Sequence, residues 1–419
     1  MVIDLDRFED IRYTKKNLYV LPCSGILQVK DKNMLDNLIG PERPISWVMQ
    51  FWPVLVFSFV FAFVATWLCK NIALKFKIVD KPDNLVKTHK ASVAYLGGVG
   101  MLIGLTAGVL AGIYYLHGRQ HLPSTFTWLF GVLAGGAIAC FIGLVDDIFD
   151  IKPYQKILGQ IVAAVILVAV GVRPSLGFLT AYLGWNIPEN LEVILGIPIV
   201  IAFVLGATNS LNLLDGLDGL CAGVTVIIAA AFLMLAIHLG TWGSSKVGGD
   251  SVRVILCLGL LGAVCGFLPF NRHPAKIFMG DAGSMLLGFI AAALMILFAE
   301  KAVRWWMASV VVFGLPILDT AVALARRLLN HRPLFVSDRG HIYDQMIDRG
   351  ILLKRTVAIC YGLAGLYALI GLGLSLRTKI RARYALIIYV LVFAVSGIIV
   401  WKKGYLKMEG LRGAVRKKY

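Results

Sequence analysis

The sequence predicts an all-α polytopic membrane protein with about eleven transmembrane helices. Hydrophobic side chains make up 58% of the 419 residues and charged side chains only 16%. Long uncharged apolar stretches also recur along nearly the whole chain, and each is long enough to cross a bilayer core, which needs about 20 apolar residues. The composition therefore excludes a soluble enzyme fold.

The apolar stretches divide the chain into one membrane domain with polar ends. Residues 1–46 form a polar N-terminal extension of unknown role, which lacks the basic start and apolar block of a signal peptide. Residues 47–402 form the membrane domain, and residues 403–419 form a basic cytoplasmic tail. The spans are predicted near 47–69, 97–116, 126–145, 156–172, 193–208, 222–240, 254–270, 284–299, 305–324, 355–375 and 384–401.

The distribution of lysine and arginine predicts the orientation. These residues are enriched in the odd-numbered connections and the C-terminal tail, and basic loops stay on the cytoplasmic side. The N-terminus is therefore predicted to lie outside, although the basic residues of the N-terminal extension oppose this orientation. The formal net charge is +17, and the basic residues lie between the apolar segments. This placement favours anionic lipid or phosphate, and not nucleic acid, as the partner.

The acidic residues are predicted to gather on the cytoplasmic face. Beyond residue 46, only Glu189, Glu192, Asp250 and Glu300 fall on the outer side. Carboxylates at a membrane boundary are costly unless they are paired, hydrated or metal-bound. The acids of the cytoplasmic connections are therefore candidates for a functional site.

The first acidic cluster ends span 3. If the helix continues, Asp146 and Asp147 stand together at its mouth, with Asp150 one turn further on. Adjacent carboxylates repel unless a cation or a shared proton relieves them, which fits a divalent metal or a general base. A solvated helix end stabilised by Lys152 and Lys156 explains the same pattern about equally well.

The second cluster follows span 5. Polar side chains recur at every third position, at Asn209, Asn212, Asp215 and Asp218. The two glycines that follow the aspartates allow tight turns and close approach of the backbone to a ligand. The segment is too apolar and too regular in its polar spacing for an ordinary loop.

The third cluster, Phe278–Ser284, leads into span 8. Asp281 lies among glycines at a predicted helix start, where free backbone amides favour anions, so a metal or phosphate site fits. Helix capping by Asp281 or Ser284 is the ordinary alternative, and it is compatible with metal binding by nearby groups.

A basic loop, residues 326–344, follows span 9. Arginine forks suit the oxygens of a pyrophosphate, and His341 can donate to them as well. Positive-inside topology alone explains the arginines, but it explains neither His341 nor the adjacent pair Asp338 and Arg339.

Together these segments resemble the polyprenyl-phosphate N-acetylhexosamine-1-phosphate transferases of glycosyltransferase family 4, over nearly all of the chain after residue 46. The Asp-Asp motif of that family is similar to Asp146-Asp147. Its Asn-x-x-Asn-Leu-x-Asp-Gly-x-Asp-Gly motif is matched from Asn209 to Gly219, and its Phe-x-Gly-Asp-x-Gly-Ser motif from Phe278 to Ser284. The lysine-rich loop before span 2 ends in Gly97-Gly98, as in that family.

The resemblance implies an enzyme that transfers a sugar 1-phosphate from a UDP-sugar to a polyprenyl phosphate lipid and releases UMP. It implies a Mg2+ ion, with Mn2+ as an alternative, and an active site that faces the cytoplasm in the inner (plasma) membrane. A homodimer is left open. The implied roles are catalysis for Asp146 and Asp147; metal binding for Asp281 and Asn212; nucleotide binding for Phe278, Asp218 and Asp215; and phosphate or sugar binding for Lys156, Asn209, Arg339 and His341.

The chain departs from the family pattern at two positions. The histidine loop commonly reads His-x-His, but here His341 is followed by Ile342 and Tyr343, a difference that concerns sugar selectivity. Ala94 replaces the proline expected three residues before the double glycine. The chain also lacks the multi-histidine block of the muramoyl-pentapeptide branch, which favours the branch that starts surface polysaccharides, with N-acetylglucosamine as the sugar by family frequency.

Two other classes remain to be weighed against this enzyme. A secondary transporter is also polytopic, but transporters usually place their acids near the bilayer midplane on broken helices. The acids of this chain are predicted at one face, which favours an enzyme acting on a membrane lipid and a soluble nucleotide. A scaffold for polysaccharide assembly is the second alternative, and an assay for lipid-linked product separates both from the enzyme.

Overall fold

A computed structural model describes residues 18–21, 25–28, 46–80, 93–117, 123–176, 188–242, 249–300, 303–331, 340–376 and 382–406. These parts are helical apart from two short antiparallel pairs of strands. Strand β1 (Leu18–Leu21) pairs with β2 (Gly25–Gln28), and β3 (Val79–Asp80) pairs with β4 (Val93–Ala94). The helices are α1 (Ser46–Met49), α2 (Trp52–Lys75), α3 (Gly97–Leu116), α4 (Pro123–Phe149), α5 (Pro153–Ala169), α6 (Glu189–Leu214), α7 (Leu220–Trp242), α8 (Gly249–Asn271), α9 (Gly280–Ala299), α10 (Val303–Val312), α11 (Gly314–Leu329), α12 (Ile342–Asp348), α13 (Leu353–Leu376) and α14 (Ala382–Lys402).

The prediction of an all-α polytopic membrane protein is confirmed. Within the described residues, eight helices are long and apolar enough to cross a membrane, and the bent pair α10 and α11 makes a ninth if it is one span. The predicted number of eleven is not confirmed: eight or nine spans are found within the described residues, and the predicted span 156–172 falls on the shorter helix α5. A helix of 17 residues is about 26 Å long, which is less than the roughly 30 Å hydrocarbon core.

Helix α9 lies at the centre of the bundle. Its sequence is apolar on all sides, and every residue of the helix except Asp281 is buried. Helices α3, α4, α6 and α10 pack around it, as expected for a helix that presents no polar face to a solvent. The first turn of α9 is therefore held in a fixed position at one end of the bundle.

The outer helices present large apolar side chains at the surface. Helix α2 exposes Phe57 and Phe61, and α14 exposes Val390 and Ile398. A continuous apolar surface of this kind is unfavourable in water and suits contact with lipid. The chain is accordingly a multi-pass membrane protein.

Helices α10 and α11 form a broken span. They meet at Phe313 with a bend of 69°, and α11 packs against α6 and α13. The buried face of α11 includes the ionisable residues Asp319, Arg326 and Arg327, whereas the exposed side carries Leu328 and Leu329. The ionisable side chains of α11 are therefore enclosed by protein, whereas these leucines lie at the surface.

The proposed division into extension, membrane domain and tail remains a prediction. Most of residues 1–46 and all of residues 407–419 lie outside the described part of the chain. The same holds for most of the lysine-rich loop before span 2.

Candidate active site

Four side chains from four helices meet at one end of the bundle. Asp146 lies near the end of α4, Lys156 in the first turn of α5, Asn212 near the end of α6 and Asp281 in the first turn of α9. The Lys156 ammonium is 2.9 Å from Asp146 Oδ2 and 3.5 Å from Asn212 Oδ1, and it also forms an ion pair with Asp281. We call these four residues the carboxylate–lysine site.

The two carboxylates of this site share one cation. Asn212 Nδ2 donates a hydrogen bond to Asp281 Oδ1 at 2.6 Å, and the Ile151 amide donates to Asp146 Oδ1 at 3.1 Å. The side chains of Lys156, Asp146 and Asp281 are 15%, 14% and 28% exposed, so the site is only partly accessible to solvent. Such partly buried charges are costly unless they are paired, and each of them has a partner.

Asp147 has a different environment from its neighbour Asp146. Its Oδ1 accepts a hydrogen bond from the Asp281 amide at 2.8 Å, and its Oδ2 accepts one from the Ala282 amide at 3.1 Å. A carboxylate at a helix N-terminus satisfies orphan amides and interacts favourably with the helix dipole. Gly280 has a φ of +67°, and a Cβ there would lie 2.4 Å from Asp147 Oδ2, so this arrangement requires glycine.

Helix α6 runs beyond the predicted end of span 5 and carries Asn209 and Asn212 within its last turns. Residues three apart lie on one face of a helix, and each of these amides has a partner on that face. Asn209 Nδ2 donates to Gln160 Oε1 at 3.0 Å and to the Leu205 carbonyl at 2.8 Å. The regular polar spacing therefore marks a polar helix face followed by a turn, and the loop begins only at Asp215.

The two aspartates of the following turn lie in different environments. Burial raises the pKa of the Asp215 carboxyl well above its usual range, and the charges of Asp281 and Asp147 add to this shift. Asp218 Oδ2 accepts a hydrogen bond from the Ala275 amide at 3.1 Å and lies 2.8 Å from His273 Nδ1. Asp218 is thus tied to the segment that leads to Phe278.

Phe278 belongs to a short extended segment beside the double glycine. The Phe278 amide donates to the Ala94 carbonyl at 2.8 Å, and the Gly97 and Gly98 amides donate to the carbonyls of Phe278 and Met279 at 3.0 and 3.1 Å. Ala94 contributes a backbone carbonyl, which any residue provides, so the replacement of the family's proline leaves this pairing intact. The segment positions the start of α9.

His341 lies immediately before α12 and is buried. Its Nδ1 is 2.8 Å from Asp319 Oδ2. Its ring stacks on Tyr343 with centroids 5.6 Å apart. The Tyr343 hydroxyl donates to the Leu213 carbonyl at 2.9 Å, which joins α12 to the segment that carries Asn212. Arg339, which is predicted to bind phosphate or sugar, lies outside the described residues.

Tyr343 stands where the family commonly has a second histidine, and its ring occupies the space beside Gly216. A Cβ at Gly216 would lie 2.1 Å from the Tyr343 hydroxyl oxygen. We expect Gly216→Ala to destabilise the protein by about 1–3 kcal/mol, because inserted atoms in a packed region displace their neighbours. The midpoint of heat-induced unfolding in detergent measures this effect.

The matched control for that substitution is Gly206→Ala on α6. No described atom lies within 4 Å of a Cβ built at Gly206, and alanine has the higher helix propensity, so this variant should be as stable as the wild type or more so. In a Tyr343→Ala background, Gly216→Ala should lose most of its effect. An equal loss of stability in both backgrounds would contradict the proposed contact.

Three residues that contact predicted site residues were not predicted from the sequence: Asp319, Gln160 and Tyr343. Asp319 and Gln160 are polar residues inside apolar stretches, and an intramembrane polar residue is itself a signal of function or of pairing. The position of Gln160, one helical turn after Lys156, is a second signal. No sequence pattern predicted the contact of Tyr343 with Gly216, because it depends on how α12 packs.

The chain is similar to one protein-family model and to several known transferases. The model of glycosyl transferase family 4 matches residues 129–299. The chain is 31% identical over 370 residues to a probable undecaprenyl-phosphate N-acetylglucosaminyl 1-phosphate transferase of Bacillus subtilis, covering 85% of this chain and 94% of the relative. It is 31% identical over 300 residues to decaprenyl-phosphate N-acetylglucosaminephosphotransferase of Mycobacterium tuberculosis, covering 67% and 72%. It is also 30% identical over 268 residues to phospho-N-acetylmuramoyl-pentapeptide-transferase of Levilactobacillus brevis, covering 61% and 77%.

The protein is a multi-pass membrane protein of the transferase class to which these relatives belong. Its helical bundle, its lipid-facing surface and the charged site at its helix ends agree with this class. The chain is a member of glycosyl transferase family 4. The resemblance found in the sequence motifs is thereby confirmed. The relatives give no support to the transporter alternative.

Proposed function

We propose that this protein transfers N-acetylglucosamine 1-phosphate from a UDP-sugar to a polyprenyl phosphate, with release of UMP, on the cytoplasmic face of the inner membrane. The observation that carries the proposal is the meeting of Asp146, Lys156, Asn212 and Asp281 where their helices end. A site at helix ends is open to a soluble nucleotide and to a lipid headgroup at the same time. The names of the relatives support the lipid acceptor and the sugar.

The charges of the site support a requirement for a divalent cation. Asp146, Asp147 and Asp281 supply three carboxylates, and Lys156 supplies one ammonium in contact with two of them. Two phosphate-bearing substrates would meet net negative charge there, and mutual repulsion is the main obstacle to phosphoryl transfer. Further positive charge must therefore enter with the substrates.

The donor atoms fit Mg2+, and Mn2+ as a substitute. Among the described residues, no three or more His, Cys, Asp or Glu side chains form a closed metal cage. Mg2+ is usually held by one or two carboxylates together with substrate phosphates. Asp281 and the Asn212 oxygen would hold it, and when bound it would neutralise the donor pyrophosphate.

The protein side chains position the two substrates. Asp147 fixes the first turn of α9 through two backbone amides, and so it fixes Asp281. Lys156 is tethered to both carboxylates, and its ammonium is within reach of a phosphate oxygen that enters between them. Orientation and electrostatic stabilisation supply most of the catalysis in this class of reaction.

Asp146 is the better candidate for the general base. Both oxygens of Asp147 accept backbone amides, whereas the partner of Asp146 Oδ2 is a side chain, the Lys156 ammonium. When Lys156 turns to a phosphate, Asp146 Oδ2 can accept the proton of the lipid phosphate. The lipid phosphate oxygen then attacks the sugar-bearing phosphorus of the donor, the bond to the bridging oxygen breaks, and that electron pair leaves with UMP.

A vesicle-free assay tests the reaction. Purified full-length protein in detergent, with MgCl2, undecaprenyl phosphate and a panel of labelled UDP-sugars, should give an organic-soluble labelled lipid and one equivalent of UMP. UDP-N-acetylglucosamine should be the best donor. A transporter or a scaffold gives no lipid-linked product without a sealed compartment, and absence of product with every donor would reject the proposed reaction.

A further inference from the structure

The buried carboxylate of Asp319 on α11 contacts His341, a candidate residue for binding phosphate or sugar. Asp319 is 1% exposed and His341 is 5% exposed, and Asp319 Oδ2 lies 2.8 Å from His341 Nδ1. We propose that Asp319 is a positioning residue that holds His341 in one tautomer and one ring orientation. This inference deepens the proposed function and rests on it for the catalytic importance of His341.

The second oxygen of Asp319 fixes the backbone beside the ring. Asp319 Oδ1 accepts a hydrogen bond from the Ile342 amide at 2.7 Å. Ile342 is the first residue of α12, and the residue that precedes this helix provides no side-chain cap. One carboxylate thus binds both the ring of His341 and the backbone that carries it, so the ring cannot turn without breaking a buried hydrogen bond.

The contact determines where the imidazole carries its proton. An ionised carboxylate only accepts hydrogen bonds, so the proton between the two side chains resides on His341 Nδ1. In the neutral ring Nε2 then has the lone pair, and in the charged ring both nitrogens carry protons. A carboxylate partner fixes the tautomer of a functional histidine in this way in metal sites and in catalytic triads.

The neighbouring contacts hold the same segment in register with the carboxylate–lysine site. The Arg326 guanidinium and Gln345 Nε2 both donate to the Gly340 carbonyl, the latter at 2.9 Å. On the other side, Tyr343 stacks on His341 and donates to the Leu213 carbonyl. Asp319 therefore acts on a residue whose neighbours are already held, Gly340 by α11 and α12 and Tyr343 by the end of α6.

A purely structural role is the alternative, in which Asp319 only accepts the Ile342 amide. Asp319→Asn separates the two roles. Asparagine retains an oxygen for the Ile342 amide, but its Nδ2 can only donate to His341 Nδ1. The proton of the neutral ring then moves to Nε2, while the local fold is kept.

The experiment is nitrogen NMR of full-length protein labelled with 15N-histidine in detergent. The His341 signals are assigned by their loss in His341→Gln. At about pH 8, above the ordinary histidine pKa of about 6.5, wild-type His341 should carry a proton on Nδ1. Asp319→Asn should carry it on Nε2 alone. The control is Thr320→Val, on the same helix as Asp319. It removes the hydrogen bond from Thr320 on α11 to Ser210 on α6 and should keep the wild-type pattern.

The activity readout accompanies the spectra. Asp319→Asn should lower kcat/KM for the UDP-sugar by about 10- to 100-fold, the usual effect of removing a partner that orients a functional histidine. A wild-type proton on Nε2 alone overturns the proposal even if no Asp319 variant folds. An unchanged nitrogen pattern or an unchanged kcat/KM in Asp319→Asn overturns it as well.

The failure of the proposed function is distinguishable from the failure of this inference. The spectra require no substrate. If the wild-type protein makes no lipid product but the tautomer changes as expected, the reaction is wrong and the positioning contact stands. If the wild-type protein is active and the tautomer does not change, the reaction stands and the positioning role is wrong.

Discussion

Asp281→Ala should abolish UMP release by the purified protein, with a loss of at least about 100-fold in turnover, because it removes a group that stabilises transition-state charge. Asp281 is the one carboxylate of the site that contacts both Lys156 and Asn212. Its removal takes away the proposed metal ligand and leaves Lys156 paired with Asp146 alone. The measurement is labelled UMP formed per enzyme at saturating substrate and MgCl2.

The loss should occur in folded protein. Lys156 keeps its ion pair with Asp146 when Asp281 is removed, so no partly buried charge is left without a partner, and the heat-induced unfolding midpoint should stay close to that of the wild type. Mn2+ bound to the protein, measured by electron paramagnetic resonance, should fall together with activity. Near-normal turnover in folded Asp281→Ala would remove Asp281 from the mechanism.

Asp150→Asn is the matched control for this substitution. Asp150 is an exposed carboxylate one turn beyond Asp146, and its φ of +50° is a conformation that asparagine tolerates well. It therefore loses a charge of the same kind at the same membrane edge without touching the carboxylate–lysine site. We expect its turnover and Mn2+ binding to match those of the wild type.

The sequence predicted the helical membrane architecture and the family, but neither the number of spans nor the contacts among the candidate site residues. Asp146, Asn212 and Asp281 were predictable because a carboxylate or an amide at the edge of an apolar span has a cost that must be balanced. Each of these residues lies on a different helix, so the bridge that Lys156 forms between Asp146 and Asp281 depends on packing of helices far apart in the chain. Periodicity within one helix carries no information about that distance.

Contacts between distant segments are equally unpredictable for Asp319, which acts through His341. Asp319 lies in an apolar stretch and gives a signal, but its partner His341 follows a loop, and no spacing rule connects them. The difference between Asp146 and Asp147 is also invisible in the sequence. Adjacent carboxylates at a helix end look equivalent until the position of the first turn of α9 shows that only Asp147 accepts its amides.

The acids predicted on the outer side illustrate the opposite case, in which charged residues have structural partners. The Glu192 carboxylate accepts the Leu176 amide. Asp250 and Glu300 both bind Arg253, which is completely buried, at 2.9 and 2.7 Å. Arg253 also donates from Nε and Nη2 to the Leu297 carbonyl near the end of α9, at 2.9 and 2.7 Å. Its guanidinium thus ties α8 to the end of α9 that is remote from the carboxylate–lysine site.

Arg253→Met should lower the free energy of unfolding by about 3–5 kcal/mol, since breaking a buried ion pair leaves an uncompensated buried charge. Asp250 is 1% exposed and would lose its ion-pair partner while it stays buried in the protein. Glu300→Gln is the control, because Glu300 is 24% exposed and glutamine retains the acceptor for Arg253, so a change below about 1 kcal/mol is expected.

The double variant Arg253→Met/Asp250→Leu should recover most of the loss, because a packed apolar pair replaces a buried ion pair at little cost. The folded fraction after heating in detergent measures all three variants, and equal destabilisation by Arg253→Met and Glu300→Gln would show that the buried pair with Asp250 does not hold these helices together.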